Sequence, residues 1–281
     1  MKYSGVVILY NPEMDIINNI QTYINDIDIL YAVDNSDYIN EAVVKKLKCI
    51  KKVEYINNNG NQGIAHAMNV AIKKAMKMGY DWILTMDQDS QASEGMVSIL
   101  KNYIEEINTD DVGILSAYQK LEENNNSYFL RTIEQVLVAM TSGNLLNINA
   151  YRKVGKFREK LFIDFVDYEY CLRLSANGYR VLMNYNAILN HKFGNVKIID
   201  GVVINSHNSE RLYYYVRNWG YISSIYRSKF PSFFANRDEY IKKKYIETIF
   251  YDKHKVKNLL YMFKGFIDYR CGIFGKFGGL L

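Results

Sequence analysis

Residues 53–89, VEYINNNGNQGIAHAMNVAIKKAMKMGYDWILTMDQD, read as strand, polar loop, helix and strand, and that order decides the fold class. Val53 to Ile56 is a short β-branched and aromatic run. Ile64, Met68, Ala71, Ile72, Ala75 and Met76 recur at steps of three and four, on one helical face, and Gly79 follows as a stop. Trp82 to Met86 is a largely apolar run, broken only by Thr85, that reads as a further strand. Two strands joined through a helix pair in parallel with a right-handed crossover, which makes this an α/β domain. The pattern extends backwards: Val6 to Tyr10, ended by Asn11-Pro12, and Ile27 to Val33, ended by Asp34-Asn35-Ser36, are two further apolar strands. In such sheets ligands lie beyond the carboxyl ends of the strands. Here those ends are Asn11, Asp34-Asn35-Ser36, the loop 57–63 and Asp87-Gln88-Asp89, four polar tips expected on one rim.

Asp87-Gln88-Asp89 carries the sharpest chemistry. In extended chain residues i and i+2 point to the same side, so both carboxylates face one spot. No Lys or Arg occurs between Lys77 and Lys101, whereas Asp81, Asp87, Asp89 and Glu94 are acidic. Two like charges about 4 Å apart repel by roughly 4 kcal/mol at an effective dielectric of about 20, so a cation is expected there. A hard divalent ion, Mg2+ or Mn2+, fits two carboxylates completed by phosphate oxygens. The loop 57–63, with Asn61, Gly60 and Gly63, precedes the clearest helix and lets backbone N–H groups approach a phosphate or sugar. It matches neither the dinucleotide fingerprint nor a P-loop. Asp34 is suited to accept the imide N–H of a uracil or thymine, or ribose hydroxyls; an Asx turn explains it equally well. His191, in Asn190-His191-Lys192-Phe193-Gly194, follows a strand and offers an imidazole to a metal or a diphosphate, or is structural.

Beyond residue 110 the pattern is mixed. Val112 to Ala117, Ile133 to Met140 and Val181 to Leu189 read as strands, and Asp164 to Ala176 as a helix closed by Asn177-Gly178. That helix would carry Asp164, Asp167 and Glu169 at its start, where the positive end of the dipole favours the ionised carboxylate that a general base needs. Acids at a helix start are also stable in their own right, and Arg173, four residues after Glu169, reads as a helix pair. From Glu210 onward the chain is mainly helical and aromatic.

Composition sets the outer limits. The 281 residues are 49% apolar, 14% aromatic and 23% charged, with 2 prolines and 17 glycines, which excludes a disordered or collagen-like chain. Cys49, Cys171 and Cys271 are far apart and form no CxxC pair, against a disulfide framework or structural zinc and for a reducing, cytoplasmic compartment. The first apolar run is too short for a signal peptide, and no stretch reaches the length needed to span a bilayer. Residues 1–231 hold 25 Lys+Arg and 25 Asp+Glu, so no basic stripe supports nucleic-acid binding. Neither G-x-S-x-G nor H-E-x-x-H occurs, and serine-hydrolase and zinc chemistry gain no support.

The ordered set Tyr-Asn-Pro (10–12), Val-Asp-Asn-Ser (33–36), Asn-Gln-Gly-Ile-Ala (61–65), Asp-Gln-Asp (87–89), Thr-Ser-Gly-Asn (141–144), Phe-Ile-Asp-Phe-Val-Asp-Tyr-Glu-Tyr-Cys-Leu-Arg (162–173) and Arg-x-Tyr-Tyr-Tyr-x-Arg-Asn (211–218) resembles a family 2 glycosyltransferase of the GT-A fold. Within that family it is most similar to bacterial rhamnosyltransferases of surface-polysaccharide synthesis. The resemblance covers roughly residues 3–220. It implies a Rossmann-like mixed sheet flanked by helices over residues 1–205, with a helical, aromatic and basic extension over 206–281. It implies a metal-dependent, inverting transfer of a sugar, rhamnose from dTDP-rhamnose or a hexose from a UDP-sugar, to a hydroxyl of a glycan or lipid-linked acceptor. A sugar-nucleotide binder without turnover and a sugar-nucleotide hydrolase are the rival readings. By position Asp34 would read the base, Asp87 the ribose or a metal-bound water, and Asp89 the metal, with His191 as a further metal ligand. Tyr10, Asn11, Asn61, Gly63 and Gly143 would line the donor. Asp167 occupies the place of the catalytic base, preceded here by Val166 where the family usually has Glu, which keeps Asp164 as the alternative base. Glu169 and Arg173 would support the acceptor and diphosphate. Arg211 and Arg217, with bidentate guanidinium groups, would suit phosphate oxygens.

The last fifty residues differ from the rest. Residues 232–281 hold 10 Lys+Arg against 5 Asp+Glu, mixed with bulky apolar residues at helical spacing. That composition fits either a segment lying on the inner face of an anionic cell membrane or a helix pair packed on the catalytic domain or a second subunit of a homo-oligomer.

Overall fold

The structure is a computed structural model that describes residues 1–120, 132–191, 196–199, 202–205, 209–251 and 254–279. Its contacts divide the chain into two units, residues 1–158 with 170–192 and residues 159–169 with 193–281.

The first unit opens with β1 (Tyr3–Leu9), α1 (Ile16–Gln21), β2 (Ile29–Asp34), α2 (Glu41–Lys48), β3 (Val53–Asn57), α3 (Ile64–Lys77) and β4 (Trp82–Asp87). It continues through β5 (Ser90–Ala92), α4 (Met96–Glu106), β6 (Val112–Lys120), β7 (Ile133–Val136), β8 (Asn144–Asn147), α5 (Ile148–Val154), α6 (Val166–Ala176) and β9 (Arg180–His191), the first turn of α6 belonging to the second unit. The strands order as β3-β2-β1-β4-β8-β6-β9-β5, with β7 also paired to β9. β1 runs parallel to β2 and β4, and β2 to β3, as the helical connections require. The register then does something the sequence only suggests. Leu9 pairs with Asp34, Asp34 with Asn57, and Ile8 with Asp87, so the ends of the four neighbouring strands β3, β2, β1 and β4 lie nearly level.

From β8 onward the sheet becomes mixed. β8 lies antiparallel between β4 and β6, while β6 and β9 are parallel. The sequence reading missed β8 and β5, because strands of four and three residues carry too little periodicity to register. It also extended β7 to Met140, whereas the strand ends at Val136. Under the sheet, Val7, Leu9, Leu84, Met86, Leu100, Leu115, Leu145 and Leu189 form one continuous buried core.

The second unit holds the antiparallel hairpin β10 (Val196–Ile199) and β11 (Val202–Asn205), then α7 (Ser209–Tyr226), α8 (Pro231–Tyr251) and α9 (Lys255–Cys271). α7 and α9 pack along each other at glycines. A Cβ on Gly265 would stand 2.4 Å from the Tyr213 carbonyl oxygen, and one on Gly220 would meet the Tyr269 ring at 2.7 Å. Residues 159–169 fold with these helices, whereas the sequence reading drew a single boundary after 205. The cause is two buried side chains of α7. Asn218 Nδ2 donates to the carbonyls of Leu161 (2.9 Å), Ile163 (2.7 Å) and Asp164 (2.9 Å). Arg217 donates to those of Lys160, Leu161 and Gly275. Phe162, Asp164 and Phe165 take left-handed backbone, with φ of 65°, 60° and 61°, so α6 begins at Val166 and not at Asp164.

Candidate active site

On the rim of the first unit, Asp34 is fully buried. Its carboxylate accepts from the Ser36 N–H at 3.0 Å and from the Tyr55 hydroxyl at 2.9 Å, and burial beside that carboxylate pushes the Tyr55 phenol up. An amide cluster stands next to it. Asn35 Oδ1 accepts from Asn58 Nδ2 (2.8 Å) and the Gln62 N–H (3.0 Å), and Asn35 Nδ2 donates to Asn61 Oδ1 (3.0 Å). Asp37 accepts the Asn61 N–H, and Asn61 accepts the Gly63 N–H, which fixes the turn into α3. Gly63 has φ of +87° at that entry, a conformation that costs glycine nothing. Asn11, at φ +46°, donates its N–H to Ser36, so the first and second tips are joined directly. Tyr55 and Asp37 were absent from the sequence-level candidates, and Ser142 entered only as part of Thr-Ser-Gly-Asn (141–144); each acts through a neighbour.

β4 ends at Asp87, and Gln88 and Asp89 make a tight turn into β5 in place of the extended chain expected across all three residues. Three anchors hold it. The Asp87 N–H donates to Ser142 Oγ (3.0 Å), which donates on to Ser90 Oγ (2.8 Å). Gln88 exchanges two hydrogen bonds with the Tyr10 backbone (2.8 and 3.1 Å), and Asn19 Nδ2 caps the Gln88 carbonyl at 2.7 Å. Asp87 is half-buried and Asp89 exposed. Burial and the Asp89 charge push the Asp87 carboxyl up to about 6. Among the described residues no cationic side chain pairs with either acid, and no group of three or more His, Cys, Asp or Glu is placed to hold an ion. Two hard oxygen donors with an uncompensated charge fit a divalent ion whose remaining ligands come from a phosphate group. His191 ends β9 opposite Ser90, and its side chain lies outside the described residues.

Two of the expected site residues also have a clear packing or hydrogen-bonding task. Gly143, at φ +84°, is buried between Ala117 and Leu189, where a Cβ would meet atoms at 3.3 and 3.1 Å, and it leads directly into β8. The Arg173 guanidinium donates to the carbonyls of Val154 and Lys156, closing the turn after α5.

In the second unit, α6 starts with Asp167 and Glu169 in its first turn. Glu169 is fully buried and accepts from the Tyr226 hydroxyl at 2.8 Å. Arg217 is also fully buried, with its donors turned to carbonyls, Asn218 Oδ1 and the Tyr213 hydroxyl, so it is a clamp on the 159–164 backbone and not a phosphate ligand. Asp164 is gripped by Arg211, whose Nη2 and Nε reach its two oxygens at 2.7 and 3.4 Å. Asp167 stays partly exposed, with Oδ1 taking the Tyr168 N–H at 2.8 Å, and the Tyr168 ring is flanked by Phe233 and by the Arg237 guanidinium.

Comparison with known proteins places this geometry. The chain is 29% identical over 229 residues to the dTDP-rhamnosyl transferase RfbF of Shigella flexneri, covering 76% of this chain and 77% of that protein. Among solved structures it is similar to GalNAc-T7 with UDP, GalNAc and Mn2+ (12% identity, TM-score 0.62, 97% of this chain and 56% of that one). It is also similar to S. aureus TarS (14% identity, TM-score 0.58, 96% of this chain and 43% of that one). The chain thus spans about half the length of these two structural neighbours, and the likeness to them establishes the GT-A fold. Residues 4–166 match the model of glycosyl transferase family 2, so the chain belongs to that family.

Proposed function

We propose that the protein transfers a sugar, rhamnose from dTDP-rhamnose, with inversion to a hydroxyl of a cell-surface glycan intermediate, the acceptor being lipid-linked. The observation that carries the reading is the rim itself. Level strand tips bring Asp34, the amide cluster and the uncompensated Asp87/Asp89 pair to one edge, a ready receptor for a nucleotide diphosphate and a divalent ion. What supports rhamnose as the sugar is the identity with RfbF. A UDP-hexose is the second donor reading, favoured by the likeness to TarS, solved with UDP-GlcNAc.

Asp87 and Asp89 would hold Mg2+ or Mn2+, which supplies electrostatic stabilisation to a departing diphosphate. Asp34 and the amides position the base and sugar ends of the donor. Asp167 takes the proton of the acceptor hydroxyl at a carboxylate oxygen. The resemblance puts it in that role, and it is partly exposed where Glu169 is fully buried; Asp164, which binds Arg211, is the alternative base. The chemistry then rests on positioning and electrostatics more than on covalent steps.

Asp167→Asn should lower kcat by about 10²- to 10⁴-fold, the usual contribution of a general base, with donor affinity unchanged. Equal loss of donor binding and turnover would remove Asp167 from that role, and a chain indifferent to the change would be a binder. A thermal-shift panel of dTDP-rhamnose, UDP-hexoses and the free nucleotides, with and without Mn2+, identifies the donor as the ligand giving the largest rise. No rise from any nucleotide sugar would sink the donor site.

A further inference from the structure

Helix α9 is amphipathic in the reverse sense. Its buried residues are Asn258, Met262, Gly265 and Asp268. Asn258 accepts the Ser209 hydroxyl, Asp268 accepts from the Tyr213 hydroxyl and from Lys264, and Gly265 lies against the Tyr213 backbone. The residues it turns to solvent are Val256, Leu259, Leu260, Phe263, Phe266 and Ile267, with Val256 73% and Phe263 64% exposed. At the helical pitch these six fall within an arc of about 120°. Every exposed charge on α9 is basic: Lys255, Lys257 and Arg270. α8 packs on α9, and its second half exposes Ile246, Ile249 and Phe250 beside Lys242 and Lys243.

Isolated apolar residues on a surface are normal, but six on one helical face mark a docking surface. We propose that this face docks on an anionic lipid bilayer, with α9 lying in the interfacial plane and its lysines and arginine at headgroup level. Charge selects this occupant. A second copy of the chain would bring a basic rim against an identical basic rim, whereas anionic headgroups complement it and the acyl boundary receives the apolar arc. No helix among the described residues is long and apolar enough to cross a membrane, so the contact is peripheral. This inference stands on residues outside the donor rim.

The test is flotation of the full chain with vesicles of phosphatidylcholine alone and of phosphatidylcholine with about half phosphatidylglycerol. The chain should float with the anionic vesicles. Leu260→Ser with Phe263→Ser should weaken partition at least about tenfold. Lys257→Gln with Arg270→Gln should weaken it about fivefold per charge, on anionic vesicles only. All substituted groups face solvent, so the melting temperature and the donor-induced thermal shift should stay unchanged, which separates this inference from the donor reading. No flotation of the unaltered chain, full flotation of the Leu260/Phe263 variant, or a dimer in sedimentation equilibrium that this variant abolishes would each overturn the proposal, the last in favour of a second copy.

Discussion

Asp87 shows what one residue's environment contributes. Its carboxyl is held at about 6, above the ordinary value near ~3.9, first by burial and then by Asp89. The folded state therefore holds this proton more tightly than the unfolded chain does. That advantage is fully present below about pH 4 and is lost as pH rises through 6, where the ionised group leaves the folded chain about 2–3 kcal/mol less stable than it would be with a neutral side chain. Without divalent ions, Asp87→Asn should thus match the parent near pH 4 and melt higher above pH 6. Adding Mn2+ should reverse that order, because only the parent carries the full charge pair. A difference between the two melting curves that is independent of pH would refute this account. At this scale the acids were legible, since their charge and spacing are written in the chain. Glu169, Arg173 and Arg217 were not. A sequence gives the type of a side chain but not its exposure, and each of the three meets a hydroxyl or carbonyl that only the folded chain brings near.

At the scale of elements, the strands and α3 followed from periodicity because their two periods compete with nothing. Short β5 and β8, each recruited by its neighbours in the sheet, did not. The start of α6 was misplaced for a related reason. Acidic residues suggested a helix from Asp164, but the carbonyl clamp of Asn218 holds residues 161–164 in a shape that includes left-handed backbone. The α7–α9 contact gives the clearest test here. Gly265→Ala should gain about 1 kcal/mol of helix propensity, yet its Cβ has no space beside the Tyr213 carbonyl, and forced separation of two packed helices costs about 1–3 kcal/mol. The melting temperature should fall, and a rise would show that the two helices are not in contact there.

The chain holds a polar rim written into local sequence and, in its second unit, an acidic segment shaped by residues some fifty positions later. Asn218 satisfies three carbonyls of residues 161–164 with one amide, and Asp167 follows directly on that backbone. Asn218→Ala takes this donor from the Ile163 and Asp164 carbonyls, while Leu161 keeps Arg217, at a cost of about 1–3 kcal/mol for each group that finds no water. Phe162, Asp164 and Phe165 are then free to leave backbone conformations that are themselves unfavourable for residues with a side chain. The expected consequence is selective. Amide hydrogen exchange should quicken across 159–169, and turnover should fall by about tenfold or more as Asp167 loses its fixed position. Donor affinity should hold, because every rim contact lies within the first unit. A chain cut after 205 should show the same split more strongly, since it lacks Arg217 as well. Should the Asn218 variant turn over at the parent rate while exchange quickens, the segment's shape would be irrelevant to transfer. If donor affinity fell in step with turnover, the two units could not be assigned separate tasks.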